Sequence, residues 1–232
     1  MTAVVLALFP ELTDVNGDAQ NALVLATRAR WAGEDAAVVR LAAGEAPPER
    51  PAAVVLGSTT DPALPALIAA LTGLRDRLTG WLDDGVPLLA VGTGMEALGG
   101  PVGLPSGPLQ GIGVLPGESR PLAARVAGDL VVRTASGDLV GYENHARGFR
   151  LDPGVQALGE VVRGVGDGHG VDGVRHGAVV ATRLHGPVLA KNPVLADELL
   201  ALALGRPVTP SGAEAEAADA AAARIRAALL RS

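Results

Sequence analysis

Cysteine is absent from the 232 residues of this chain. Its absence excludes disulfide bonds, thiolate metal sites and thiol nucleophiles. Aromatic residues make up only 2% of the sequence, although apolar residues reach 48%, so the core has to be built mainly from Ala, Val and Leu. Basic residues are also few. The formal net charge of −6 disfavours non-specific binding to nucleic acid, because such binding depends on cations that meet phosphates.

Long apolar runs are missing as well. The run from Ala3 to Phe9 has no Lys or Arg before it and leads directly into Pro10, so it predicts a buried first strand rather than a signal peptide. No stretch approaches the length that a bilayer-spanning helix needs. We therefore expect a soluble, cytoplasmic protein without membrane insertion.

The first part of the chain alternates short Val- and Leu-rich runs with helical patterns. The predicted strands cover residues 4–8, 36–41, 53–56 and 88–91. The predicted helices cover about residues 19–32 and 64–83. Strands and helices that alternate at this spacing favour a parallel sheet with helices on both faces. A chain of 232 residues is long enough for one α/β domain of this kind.

The second part of the chain is rich in Gly and Pro, and its apolar runs are shorter. Residues 101–180 therefore predict mixed or antiparallel strands joined by turns. A helix is expected again over about 193–204.

The C-terminal part contains a break and a second helical pattern. Residues 205–210 contain Gly and Pro and end the preceding helix, and Ser211 with Glu214 forms a capping-box pattern before an Ala-rich helix. We expect one domain over residues 1–205, followed by a linker and a C-terminal helix over 206–232.

The most informative stretch runs from Leu88 to Gly99. It reads Leu-Leu-Ala-Val-Gly-Thr-Gly-Met-Glu-Ala-Leu-Gly, so a hydrophobic strand ends at small residues and a helix follows. This order is typical of a nucleophile elbow, whose turn residue adopts a strained backbone conformation and holds its side chain over the N-terminus of the helix. There the helix dipole and free amides lower the pKa of a thiol and help to hold an oxyanion.

This stretch resembles the elbow of class I glutamine amidotransferases, which commonly reads L-A-x-C-x-G-x-x-x-L-G. Other segments extend the resemblance. Residues 9–21 look like Y-P-x-x-L-N-x-Y-G-D-x-G-N, 141–145 match G-F-E-N-H with one conservative change, and 184–197 match L-H-G-P-x-L-x-x-N-P-x-L-A-D almost throughout. In combination, the motifs resemble the CobB/CobQ-like branch and, within it, the small glutaminase subunits of lipid II isoglutaminyl synthases. The resemblance covers about residues 4–205.

The resemblance implies a three-layer, flavodoxin-like α/β fold with a mostly parallel central sheet, mixed or antiparallel strands in the second half, and a set of site residues. The family's nucleophilic cysteine falls on Gly92, and His185 matches the histidine that serves as its base. Arg125 matches an arginine that contacts the substrate glutamine. Gly57 and Ser58 stand in the loop that offers a backbone amide to the oxyanion in the family.

The resemblance also implies a partner. In the family, ammonia released from glutamine passes to a separate Mur-ligase-like, ATP-dependent synthetase subunit, which amidates the D-glutamate of the peptidoglycan stem peptide. We therefore expect a heterodimer with such a ligase, and glutamine as a candidate ligand of this chain. The sequence has no Gly-x-x-x-x-Gly-Lys-Ser/Thr loop and predicts no cofactor, so any ATP would be bound by the partner.

Several residues around the same pocket depart from the family pattern. The loop 57–61 reads Gly-Ser-Thr-Thr-Asp where the family has G-G-G-Q-D, Glu96 replaces Gln, Arg183 replaces Tyr, and 166–168 read Gly-Asp-Gly where the family tends to have Gly-Asn-Asn. Thr93 lies next to the elbow position, but an unassisted hydroxyl is a far weaker nucleophile than a thiolate. We therefore expect glutamine hydrolysis by the thiolate route to be lost.

Three hypotheses explain the glycine at position 92. A natural loss of the nucleophile would leave a subunit that docks on the ligase and supports it. Under the second hypothesis, the chain is a binding or regulatory module, a pseudoenzyme that uses the pocket to sense glutamine or another small amino acid. The third hypothesis is an active glutaminase with an engineered change of Cys to Gly. Several departures around one pocket favour natural loss.

One further cluster of polar residues has the composition of a metal site. Asp167, His169, Asp172 and His176 lie close together in the sequence. The glycines between them and the flanking Val residues fit a hairpin loop better. We therefore predict no metal there.

Overall fold

The computed structural model describes residues 2–231. In chain order, the strands are β1 (Ala3–Leu8), β2 (Ala36–Leu41), β3 (Ala53–Leu56), β4 (Leu88–Val91), β5 (Pro101–Leu104), β6 (Gly107–Gln110), β7 (Gly117–Thr134), β8 (Gly137–Leu151), β9 (Gly159–Arg163), β10 (Val171–Asp172), β11 (Val174–His176) and β12 (Val179–Thr182). The α-helices are α1 (Pro10–Thr13), α2 (Gln20–Trp31), α3 (Leu64–Asp83), α4 (Thr93–Leu98), α5 (Val188–Lys191), α6 (Pro193–Leu204) and α7 (Ala213–Arg231), and a 3₁₀ turn covers Asp61–Ala63.

The first sheet has the strand order β11-β12-β4-β3-β1-β2. All neighbours are parallel except β11, which runs antiparallel to β12. The five parallel strands follow the flavodoxin-like order, with β2 at one edge and β12 added beyond β4. The predicted α/β sheet is therefore confirmed, including the bounds of β2, β3 and β4.

Helices cover both faces of this sheet. Alternate residues of each strand point to opposite sides, so a strand between two helical layers buries side chains on both faces. In β4, Leu88 and Ala90 join one buried cluster with α3, while Leu89 and Val91 join the other with α2 and α6. Burial on both faces explains why β3 and β4 are apolar at every position. Loops follow the carboxyl ends of the parallel strands, at the edge of the sheet that the helices leave uncovered.

The second sheet has the order β10-β9-β7-β5-β6, and β8 pairs with β7. The antiparallel β7–β8 hairpin is its largest part, and its pairing runs from Gly117 with Leu151 to Thr134 with Gly137, with a shift of register between Pro121 and Val126. The mixed and antiparallel strands expected after residue 101 are confirmed. Their length differs, since β7 and β8 are far longer than the apolar runs within them.

The C-terminal helix α7 is attached by polar contacts. Arg28, which is buried in α2, donates from Nε to Asp197 of α6 at 2.7 Å and from Nη1 to Asp219 of α7 at 2.6 Å. The predicted capping box is replaced by contacts with Trp31: the Ser211 hydroxyl donates to its carbonyl, and the Glu214 carboxylate accepts from its indole N–H.

No helix within residues 2–231 combines the length and the apolar character required to cross a membrane.

Candidate active site

The ends of β3, β4 and β12 bring the predicted site residues together at the carboxyl edge of the first sheet. Ser58 follows β3, Gly92 follows β4, and His185 lies shortly after β12. In sheets of this type, ligands bind outside the carboxyl ends of the strands. These residues line a cavity of about 270 Å³, together with Arg125 from β7.

Gly92 has the backbone of an elbow. Its φ of 56° and ψ of −120° lie outside the regions that L side chains favour, and α4 begins at the next residue. A Cβ atom placed on Gly92 would meet the Ser58 hydroxyl and would lie 2.8 Å from Cε1 of His185. The position predicted for the nucleophile is therefore next to the predicted base, and the space for a side chain there is already taken.

His185 is held by a carboxylate. Its Nδ1 lies 3.0 Å from Oδ2 of Asp18, and both side chains are almost fully buried. A carboxylate can only accept a hydrogen bond, so Nδ1 carries the proton in the neutral ring and Nε2 is left with a lone pair. The pair has the base–orienter arrangement found in nucleophilic catalysis. His185 is also fixed by its backbone, which exchanges hydrogen bonds with Tyr142 of β8.

The loop after β3 uses its polar groups internally. The Ser58 amide donates to Oδ2 of Asp18 at 3.2 Å, and the Ser58 hydroxyl donates to the carbonyl of Val91 at 3.2 Å. The Thr59 amide donates to the Thr93 hydroxyl at 2.5 Å, and that hydroxyl donates to the Thr59 carbonyl at 2.9 Å. An oxyanion hole requires backbone N–H groups that point at the developing charge. Here, both amides already have acceptors, and the Thr93 hydroxyl is fixed.

Buried charges form the floor of the cavity. Glu96 is 1% exposed and accepts from Nη1 of Arg183 at 2.5 Å and from Nε of Arg147 at 2.7 Å. Arg183 also donates to Asp167 at 3.0 Å, and Arg147 donates to both oxygens of Asp61 at 3.0 and 2.6 Å. Three of these residues depart from the family pattern. They form one network in which each buried charge contacts an opposite charge.

The network shifts the pKa values of its members. The hydrogen bond from Arg147 holds the pKa of Asp61 below its usual value. Burial works against the charge of Arg183, but the neighbouring carboxylates outweigh it and raise the pKa of Arg183. Burial, together with the charge of Asp167, raises the pKa of Asp172 to about 7. Asp172 is buried and accepts hydrogen bonds from the Thr182 hydroxyl at 2.6 Å and from the Arg183 amide at 3.2 Å.

The structure thus brings together Gly92, His185, Ser58 and Arg125 at one cavity, whereas Gly57 lies just outside its lining. A Cβ at Gly57 would contact the Asp18 side chain and the Thr13 carbonyl, so this glycine allows the loop to approach closely. Arg125 lies at the exposed rim and donates to Oδ1 of Asn144 at 2.6 Å.

The role of Asp18 was missed by the sequence analysis. It lies within the motif over residues 9–21, directly before α2, where an acidic residue is common for reasons of helix capping. Only the fold shows that it contacts His185, which is 167 residues away in the chain. The pairing of Arg147 with Asp61 was missed for the same reason, because the two residues are 86 positions apart in the chain.

Solved structures share this architecture. A structure described as a glutamine amidotransferase has a TM-score of 0.58 at 20% identity, covering 85% of this chain and 98% of that one. PurLQS from Thermotoga maritima has a TM-score of 0.57 at 13% identity over 88% and 97% of the two chains. The glutaminase domain of Trypanosoma brucei CTPS, with bound acivicin, has 0.53 at 12% identity over 90% and 96%. The chain has the fold of the class I glutamine amidotransferases.

Sequence comparison narrows the class to a family. Residues 18–193 match the model of the CobB/CobQ-like glutamine amidotransferase domain, and the chain belongs to this family. One relative is the subunit GatD of the lipid II isoglutaminyl synthase (glutamine-hydrolyzing) of Staphylococcus aureus (strain N315), which is 33% identical over 144 residues. That match covers 60% of this chain and 58% of the relative, less than two thirds of its length.

Proposed function

We propose that this chain is the glutaminase-like subunit of a lipid II isoglutaminyl synthase-type complex, and that it no longer hydrolyses glutamine. The observation that carries the proposal is Gly92, which occupies the turn of an intact elbow in a chain without cysteine. A thiolate is the nucleophile of this chemistry, and glycine offers no atom that could attack the amide. The similarity to GatD supports the choice of complex.

The surrounding loop supports a loss that is wider than one residue. The Ser58 and Thr59 amides have internal acceptors, so an oxyanion could take neither without breaking an existing hydrogen bond. The Thr93 hydroxyl is held between the amide and the carbonyl of Thr59, and no base contacts it in the described residues. It therefore does not replace the missing thiol.

The environment of Gly92 also favours a natural loss over an engineered one. A side chain at this position would require the Ser58 hydroxyl and the His185 ring to move. A protein that had recently carried cysteine here would be expected to keep that space open. Glu96 and Arg183 depart from the family pattern together and pair with each other at 2.5 Å, which is the mark of mutual adjustment.

The remaining role of such a subunit is to bind and support its partner. We propose a Mur-ligase-like, ATP-dependent synthetase as that partner, in a cytoplasmic heterodimer that amidates the D-glutamate of the stem peptide. The synthetase would then take free ammonia from solution. We place a domain boundary at residue 205. Residues 1–205 would form the glutaminase-like domain, and residues 206–232 a linker and C-terminal helix.

The proposal is tested by the choice of nitrogen donor. The chain is mixed with a purified Mur-ligase-like synthetase, and amidation of lipid II is followed by mass spectrometry with either glutamine or ammonium chloride. We expect amidation with ammonium alone, at a rate that rises when the chain is present. The glutamine-hydrolyzing complex that contains GatD serves as the control that uses glutamine. Ammonia release from glutamine by the wild-type chain would refute the loss of hydrolysis, and failure to bind the ligase would refute the complex.

A second candidate function is a binding or regulatory module, and the cavity is the observation that favours it. The cavity persists at about 270 Å³ although the nucleophile is gone, and Arg125 still lies at its rim. Calorimetric titration with small amino acids separates the two functions: a ligand that binds the isolated chain and changes no ligase rate would favour the sensor.

A further inference from the structure

Two buried polar groups at the cavity have no hydrogen-bond partner among residues 2–231. They are Nη2 of Arg183 and the hydroxyl of Thr59, and both residues line the cavity. Arg183 is 0% exposed, and its other donors are occupied, Nη1 by Glu96 and Nε by Asp167. Burial of a charged donor that has no acceptor is unfavourable, because the donor loses its hydrogen bonds to water and forms none within the protein. Such groups in a cavity indicate that a ligand supplies the acceptor.

The charges around the cavity indicate the sign of that ligand. The side chains that line it include three guanidinium groups, those of Arg125, Arg147 and Arg183, and two carboxylates, those of Asp61 and Glu96. Both carboxylates are committed to Arg147 and Arg183 by ion pairs. Arg125 donates to a neutral amide oxygen instead, and it is exposed at the rim. Asp167 pairs with Arg183 from outside the lining, so the three guanidinium groups are matched by three carboxylates. The donors that remain without a charged partner are Nη2 of Arg183 and the guanidinium group of Arg125, and a carboxylate ligand would satisfy both.

We propose that the cavity binds a small amino acid with two carboxylates, of the size of L-glutamate, without covalent chemistry. One carboxylate accepts from Nη2 of Arg183 and from the Thr59 hydroxyl at the floor, and the other meets Arg125 at the rim. A carboxylate presents acceptors only, which suits these donors, whereas the amide of glutamine also presents N–H groups. The volume of about 270 Å³ is slightly below the range of drug-sized pockets, about 300–1,000 Å³, and suits a metabolite.

The proposed subsite is built from residues that depart from the family pattern. Arg183 stands where the family has Tyr, and Thr59 belongs to the altered loop after β3. Preference for a second carboxylate over an amide is therefore a property of this chain's own residues. The inference rests on the proposed function in one respect, namely that nothing at position 92 attacks the ligand.

The test is calorimetric titration of the full chain with L-glutamate and with L-glutamine. We expect glutamate to bind at least about tenfold more tightly, since hydrogen bonds to charged groups are stronger than those between neutral groups. Thr59→Val removes one unpartnered hydroxyl while keeping the shape of the side chain. It should weaken glutamate binding about three- to tenfold, without lowering the melting temperature, because no existing hydrogen bond is lost.

Ser119→Ala is the matched control. The Ser119 hydroxyl is also buried and has no partner in the part of the chain that the structure describes, but it lies outside the cavity lining. This variant should leave both affinities unchanged. The triple variant Glu96→Gln, Asp167→Asn and Arg183→Tyr removes Arg183 together with both of its carboxylate partners. It should bring the affinities for glutamate and glutamine to within about twofold of each other if the preference depends on Nη2.

Equal binding of the two amino acids by the wild-type chain would overturn the proposal, as would binding of neither at millimolar concentration. Equal effects of Thr59→Val and Ser119→Ala would also overturn it, because the cavity hydroxyl would then have no special role. Ammonia in the glutamine titrations is measured separately. Its release would refute the proposed loss of hydrolysis, while the order of the two affinities would still decide the ligand.

Discussion

Introducing a cysteine at Gly92 is predicted to lower the stability of the chain and to produce little glutaminase activity. A Cβ atom there would contact the Ser58 hydroxyl, would lie 2.8 Å from Cε1 of His185, and would be attached to a backbone with φ of +56°. A strained backbone costs about 1–3 kcal/mol, and overpacking costs about another 1–3 kcal/mol. For a domain of this size, about 1 kcal/mol lowers the melting temperature by about 2–4 °C, so Gly92→Cys should lower it by roughly 4–24 °C.

The assay combines calorimetry with labelling. Because the chain has no other cysteine, iodoacetamide labels only position 92, and mass spectrometry reports its reactivity directly. Adding Ser58→Gly removes the hydroxyl that occupies the space and should recover part of the lost stability. Gly73→Cys is the matched control: its Cβ would meet nothing within 4 Å, so it introduces a thiol without overpacking. We expect that control to be as stable as the wild type.

The outcome that would refute this reasoning is specific. If Gly92→Cys were as stable as the wild type and released ammonia from glutamine at the rate of an active glutaminase, the site would have lost only its sulfur. The altered loop after β3 and the hydrogen bonds of the Ser58 and Thr59 amides would then be irrelevant to the chemistry.

Three further predictions concern buried polar groups. Burial and a nearby carboxylate raise the pKa of Asp172 to about 7, so the folded chain keeps a proton that the unfolded chain has lost. The stability that this group contributes therefore falls as the pH rises from about 4 to about 7. Asp172→Asn should not show this fall when the free energy of unfolding is measured in urea at about pH 5 and about pH 8. Arg28→Ala removes a buried guanidinium group that pairs with the part-exposed Asp197 and Asp219, so it should cost about 2–3 kcal/mol and expose α7 to protease. Arg133→Ala, in an exposed pair, should leave the free energy of unfolding nearly unchanged. The buried side-chain amide of Asn192 forms hydrogen bonds with backbone groups of Val140 and Val188, and Asn192→Ala leaves these groups without partners. This variant should lower the free energy of unfolding by about 2–4 kcal/mol in the same assay.

The first sheet was predictable because its strands are buried on both faces. In β3 (Ala53–Leu56), for example, every residue is apolar and buried, and this continuous apolar run is visible in the sequence. The β7–β8 hairpin was predicted only as part of the mixed or antiparallel strands over residues 101–180. Residues 120–129 of β7 are mostly exposed, so no alternation marks them, and their extended form depends on pairing with β8.

Part of the site was predictable for a different reason. Gly92 and His185 lie within local motifs, and their type and spacing point to one chemistry. The departures at Glu96 and Arg183 were visible in the sequence, but their meaning was not, because the two residues are 87 positions apart and pair only in the folded chain. Sequence alone reported two separate changes, and the structure joins them into one ion pair.

Glu96 has a consequence for the dynamics of the molecule. Its single carboxylate joins Arg183, at the end of β12 in the first sheet, to Arg147 in β8 of the second sheet. Opening of either sheet near the cavity would therefore leave a buried charge without its partner. We expect the amides around α4, β8 and the end of β12 to exchange with solvent deuterium together, as one cooperative unit that spans both sheets.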